Sequence, residues 1–145
     1  MSGLNNNPII PIFEKYCRQN QIDGKKITGR VGDKNLILKV CSTPESLSKG
    51  YSGSQCPSDK EGMIFVYQAD QILEFWMKDV NFALDIMFFD SAMNLVDHLT
   101  MDPCGDLTDD DLPRYRSSAP AMYAVEVCGG WCKSNGIDQN CRLKF

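Results

Sequence analysis

The chain is predicted to be mainly β, a single compact antiparallel barrel or sandwich with two or three short helices and an N-terminal arm. Three observations lead there. Short apolar runs recur at spacings of roughly 8–12 residues, each bounded by Gly, Pro, Asn or Asp. Some of those runs alternate apolar and polar positions, and others are apolar throughout, as strands covered on one or both faces are. A length of 145 residues with 43% apolar content suits one domain with a core of its own.

Residues 1–25 read as the arm. MSGLNNNPII has no apolar period. From Pro11 onward Ile12, Phe13, Tyr16 and Cys17 recur at helical spacing, with Pro11 suited to a first helical position. This short amphipathic helix, ending before Asp23-Gly24, is expected to dock on the domain or on a partner protein, so residues 1–22 are the expected partner contact. The β domain is assigned to residues 26–145. Lys26 to Cys41 reads as a hairpin, with Ile27 and Val31 in its first strand, Gly32 to Asn35 as the turn and LILKV as its second strand. Thr43 then suits an N-cap, Pro44 the first helical position and Gly50 a left-handed C-cap. Ser52 to Glu61 is a loop.

The stretch Gly62 to Asp90 holds the densest apolar residues and is expected to be three successive strands, GMIFVY, ILEFWM and ALDIMFF. A hairpin turn over Asp90 to Asn94 follows, in which Asn94 can take the left-handed conformation. LVDHLT is the next strand. Residues 101–113 form an acidic loop, in which Thr108 and Asp111 can cap one turn, and Tyr115 to Ala119 is a linker. AMYAVEV is a strand, Trp131 to Asn135 one helical turn stopped at Gly136, and CRLKF the last strand. The expected total is eight strands.

Four blocks resemble the domain-of-unknown-function 192 family, a group of small bacterial, archaeal and phage-encoded domains. They are LKVCSTPESLSKGY, EGMIFVY, FWMKDVNFALDIMFFD and YAVEVCGGWCKSNGIDQNCRLKF, spanning residues 36–145. The third block is the most specific. The resemblance implies a compact β-rich barrel or sandwich and no established enzyme activity, and the family's presence in phages implies a virion or phage accessory role. Tyr51-Ser52 stands where the family usually has Leu-Met, so a pocket lined by that segment would differ here. Asn140-Cys141 replaces its usual Gly-Asp at the closing turn, where Asn is tolerated.

Charge excludes some functions. Lys and Arg number 15 against 19 Asp and Glu, and the net charge of −4 carries no basic run. Phosphate-driven nucleic-acid binding and attraction to an anionic membrane are not expected. No segment reaches the roughly 18 apolar residues of a membrane span, and the first residues lack a signal-peptide pattern. The expected location is the cytoplasm or a virion, with the seven cysteines reduced. No phosphate loop or cofactor motif is present, and no cofactor is expected.

The candidate chemistry is sparse. Asp85 shares an apolar face with Ala83 and Met87, so its carboxyl must be hydrogen-bonded or have a raised pKa. It reads first as a cap on backbone N–H groups of the Lys78–Phe82 turn. The functional alternative is a general acid/base paired with Glu126, which interrupts another strand in the same way. Phe75, Trp76, Met77 and Phe82, with Asp85, are the candidate lining of an apolar ligand pocket, or are simply core. His98, the one histidine, reads as a surface residue. Cys128, Cys132 and Cys141 have permissive spacing for a metal but lack the second pair that zinc wants, so no metal site is expected. The acidic loop is not an EF-hand and reads as solvated charge. With no complete catalytic set, the expected function is a non-enzymatic binding or interaction module. The alternative is a hydrolase-like enzyme using Asp85 and Glu126 beside a pocket at Trp76.

Overall fold

Nine strands and two short helices form over residues 22–145, the part that the computed structural model describes. They are β1 (Lys26–Val31), β2 (Lys34–Cys41), α1 (Pro44–Lys49), β3 (Glu61–Gln71), β4 (Glu74–Phe75), β5 (Leu84–Phe89), β6 (Leu95–Met101), β7 (Tyr115–Arg116), β8 (Ala121–Cys128), α2 (Trp131–Ser134) and β9 (Leu143–Lys144). The expected helix over residues 11–22 and the partner contact through residues 1–22 lie outside the described residues, except at Ile22. That side chain is buried in the core, ahead of the expected domain start at 26.

Seven strands form one sheet in the order β6-β5-β8-β3-β2-β1-β9, curled into a half-barrel. The curl brings the β9 end of the sheet to the β5–β6 turn. Leu143 N donates to Met93 O at 3.0 Å, and Leu95 N to Cys141 O at 3.2 Å. The sheet is apolar on both faces. One face gathers Val31, Leu38, Ile64, Met87, Val125 and Leu143. The other gathers Met63, Phe65, Phe75, Leu84, Ile86 and Phe88. Strand β8 lies between β3 and β5, antiparallel to both, and its first seven residues are buried. β3 passes close to β8 at Gly62, where an added Cβ would sit 2.5 Å from the Glu126 carbonyl oxygen. Only glycine fits there.

The mainly-β class, the hairpin and the two helices stand as expected. The hairpin turn is tighter, since Lys34 and Asn35 pair within β2. Thr43 caps α1, its hydroxyl accepting from Ser46 N, with Pro44 at the first position. Asp23 reinforces this cap: its carboxylate accepts from Ser42 N at 2.8 Å and from the Ser46 hydroxyl. Gly50 has φ of +47° but ψ of −128°, outside the expected left-handed helical conformation.

Other expectations are corrected. ILEFWM does not join the main sheet; only Glu74–Phe75 is strand, paired with Tyr115–Arg116 inside the expected linker. Its alternation is real, with Leu73, Phe75 and Met77 buried, but it covers the second face as a flap. Period-two patterning reports a half-buried extended segment and is silent about its partner. The three-strand unit therefore does not exist, because β8 separates β3 from β5. The sheet is not wholly antiparallel: β2 and β3 run parallel, since the connection through α1 returns the chain to the same end. At the β5–β6 turn Met93, not Asn94, has positive φ, at 69°. Asp90 sets this turn, its carboxylate accepting from Ala92 N and Asn94 N.

Candidate functional site

Strand register decides which polar side chains can meet. Residues directly opposite in an antiparallel pair share a face. Glu126 is opposite Met63 on β3 and Ile86 on β5, whereas Asp85 is opposite Val127. Glu126 and Asp85 therefore project from opposite faces of the sheet. The expected acid/base pair is not assembled, because neighbouring positions on β8 alternate sides.

Asp85 is 2% exposed and fully engaged. One carboxyl oxygen accepts from the Thr100 hydroxyl at 2.8 Å, the other from Cys132 N at 2.9 Å. Cys132 is the second residue of α2, whose N-cap, Gly130, supplies no side-chain cap. An orphan N–H of the first helical turn needs an acceptor, and a strand residue 47 positions away provides it. Asp85 is a cap, as expected, but of α2 rather than of the Lys78–Phe82 turn. That turn is held instead by the segment after α1: the Ser52 hydroxyl donates to Lys78 O at 2.6 Å and Gly53 N to Asp79 O at 3.0 Å.

Glu126 is in a different position. Its side chain is 4% exposed, and no described residue forms a hydrogen bond or ion pair with it. Burial alone pushes its pKa from 4.5 up to about 8. It forms part of the floor of a cavity of about 430 Å³, together with Phe65 and Tyr67 of β3. Pro44, Leu47 and Lys49 of α1, followed by Gly50 and Tyr51, make one wall; Glu74, Phe75, Trp76 and Val80 make the other. Gly50 lies close to the carboxyl: an added Cβ would stand 3.6 Å from Oε1 of Glu126 and 3.3 Å from the Phe65 ring. Phe65 and Phe75 meet edge to face at 5.0 Å. Burial, and then the Glu126 charge, push the phenol of Tyr67 up to about 12 and that of Tyr51 higher still. The Cys41 thiol on β2 rises to about 12, from burial and then the charges of Asp23 and Glu126.

The mouth is charged. The guanidinium of Arg114 lies 4.3 Å from the Trp76 ring centroid and the ammonium of Lys78 lies 5.3 Å from it. Arg114 also approaches Glu74 at 3.7 Å and donates to Asp109 O at 3.1 Å. Glu74 pairs with Arg116, and Lys78 with Asp109. These exposed pairs hold the β4–β7 ribbon and the acidic loop beside the cavity.

Of the expected pocket residues, Phe75 and Trp76 line the cavity. Met77 is core, Phe82 packs edge-on against Tyr51 at 6.2 Å, and Asp85 lies on the other face. Cys128, Cys132 and Cys141 are free thiols, and among the described residues no three metal-ligating side chains converge. Burial foremost, then the Asp85 charge, push the Cys132 thiol up, away from the thiolate a metal needs. His98 is exposed on β6. Sequence reasoning missed Tyr51, Phe65, Tyr67 and Arg114. Only Tyr51 carried a signal, as a departure within the resemblance, since a cavity built by five separate segments leaves no local pattern.

A family model named DUF192, described as uncharacterised, matches residues 26–145. Two solved structures share the fold. One, described as a candidate transcription regulator from Sinorhizobium meliloti, is 18% identical with a TM-score of 0.74, covering 86% of this chain and 96% of that one. The other, a protein of unknown function from Novosphingobium aromaticivorans, is 19% identical with a TM-score of 0.71, covering 83% and 85%. No curated protein matches the chain. No helix among the described residues is long and apolar enough to cross a membrane.

Proposed function

We propose that this chain, which belongs to the DUF192 family of uncharacterised proteins, is a non-enzymatic binding module for a small molecule. Its ligand site is the cavity between α1 and the β3–β8 floor. The observation that carries this reading is Glu126, a buried carboxyl with no partner among the described residues, at the base of a cavity with mixed polar and aromatic walls. Leaving such a group unsatisfied costs free energy in the empty fold. A ligand that completes its hydrogen bonding recovers that cost. The cavity volume of about 430 Å³ falls in the range usual for small-molecule sites.

The hydrolase alternative required Asp85 and Glu126 in one site, and their placement on opposite faces removes its motive. The relatives' descriptions mention no phage, so the virion role has no support from them. Regulation by direct DNA contact is disfavoured by the net charge of −4. The test is a small-molecule fragment screen read by backbone amide shifts of the full chain. The reading expects binding fragments to shift Gly50, Tyr51, Phe65 and Glu126. Fragments that bind only elsewhere would overturn it.

A further inference from the structure

We propose that the cavity takes a small organic ammonium ion with an apolar tail, the ammonium seated against the Glu126 carboxylate and the Tyr51 and Tyr67 phenol oxygens, the tail against Phe65, Phe75 and Trp76. This rests on the reading of the cavity as the ligand site and names what that site selects. Three oxygen-bearing groups, Glu126 on β8, Tyr67 on β3 and Tyr51 after α1, line the same cavity, and the Glu126 charge bears on both phenols. No described residue hydrogen-bonds to any of the three. A primary ammonium has three donors, which matches that set.

Charge selects further. Burial disfavours an ionised Glu126, and a cation that pairs with it offsets that cost; the aromatic faces favour a cation as well. The site's own cations do not fill this role. Arg114 lies over Trp76 at the mouth and is engaged by Glu74 and Asp109, and Lys49 is exposed on α1. An anionic ligand would meet Glu126 at the floor and Glu74 at the mouth. A neutral alcohol would meet the protonated acid and gain hydrogen bonds from it, without the charge pair that an ammonium forms.

Proton linkage follows. The groups facing Glu126 are Cys41 from β2, Tyr51 after α1 and Tyr67 from β3, with Lys49, Glu74 and Arg114 farther out. The thiol and phenols keep their protons below pH 9, because burial and the Glu126 charge raise all three. Glu126 itself holds a proton to about pH 8 in the empty cavity and loses it to admit the ammonium. Binding at pH 7 therefore releases most of one proton, and affinity rises with pH, by up to about tenfold per unit, until pH nears the folded pKa of about 8.

The experiment is calorimetry on the full chain with 2-phenylethylammonium, 2-phenylethanol and 3-phenylpropionate, in two buffers of different ionisation enthalpy, with amide shifts locating each probe. The expected result is that the ammonium binds at least tenfold more tightly than the other two, releases close to one proton, and loses at least tenfold in Glu126→Gln. Tyr67→Phe, which removes one acceptor and leaves the carboxyl, weakens it by about threefold and serves if Glu126→Gln does not fold. If the alcohol or the carboxylate binds in the cavity as tightly as the ammonium, the ligand class is wrong and the site stands. If none of the three binds at millimolar concentration, the ligand class is wrong, and the fragment screen decides the site.

Discussion

Replacing Glu126 with Gln tests the physics of the site without any ligand. The folded carboxyl keeps its proton to about pH 8, against 4.5 for an unperturbed side chain. An acid whose pKa is raised on folding favours the fold below pH 4.5, and that contribution is lost as pH rises through 8. At about 1.4 kcal/mol per pH unit, most of the interval between 4.5 and 8 is crossed from pH 5 to pH 9, so the wild type loses on the order of 4 kcal/mol from this group alone. Gln is nearly isosteric and does not titrate. Urea unfolding of both proteins at pH 5, 7 and 9 isolates the effect, because the thiol and phenols that feel the Glu126 charge are raised first by burial and keep their protons in the folded state over most of that range. The expected result is that Glu126→Gln gains on the wild type steadily, the difference growing by about 2–4 kcal/mol across that range. Parallel pH dependence in the two proteins would show that Glu126 is hydrated or paired in solution, and the reasoning about the cavity would be wrong.

Asp85→Ala leaves the buried Cys132 N–H without its acceptor and should cost about 1–3 kcal/mol in urea unfolding, with the affinity for 2-phenylethylammonium unchanged. Weaker binding at undiminished stability would return Asp85 to the site. Gly62→Ala forces a Cβ to within 2.5 Å of the Glu126 carbonyl and should lower stability by about 1–3 kcal/mol, checked by the urea midpoint. Asp23→Ala removes the reinforcement of the α1 cap and should cost about 1 kcal/mol at pH 7. Burial raises the Asp23 pKa, but hydrogen bonds from Ser46, Ser42 and Thr43 outweigh it and hold the carboxyl below its ordinary 3.8. Its contribution is therefore present above pH 3.8 and fades as pH falls through the lower folded value, so variant and wild type should converge in acid.

Much of the fold could be read along the chain because its signals are local. Thr43-Pro44 starts a helix by capping chemistry that acts within one turn, and Gly50 ends it, although not in the left-handed helical conformation. Alternation assigns Met63, Phe65 and Tyr67 to one face of β3 and Ile64 and Val66 to the other, and the two sides of the sheet keep that division. The same logic marked Asp85 and Glu126 as acids within strands. Phe75 and Trp76 were legible only as pocket candidates or plain core, and their local pattern did not choose between the two.

The sequence by itself determined the class of the fold, its helices, the family resemblance and the two unusual acids. Tertiary structure alone decided what those acids do. Alternation fixes the phase within a strand, whereas the relative phase of two strands depends on register, and one residue of register exchanges the faces. With Asp85 opposite Val127, the two carboxyls part to opposite sides of one sheet. One caps a helix 47 positions along the chain, and the other lies beneath α1 without a partner among the described residues. No pattern in ILEFWM announced that it would fold over the second face and pair with Tyr115–Arg116, because the partner lies some forty residues away, beyond the reach of any local signal.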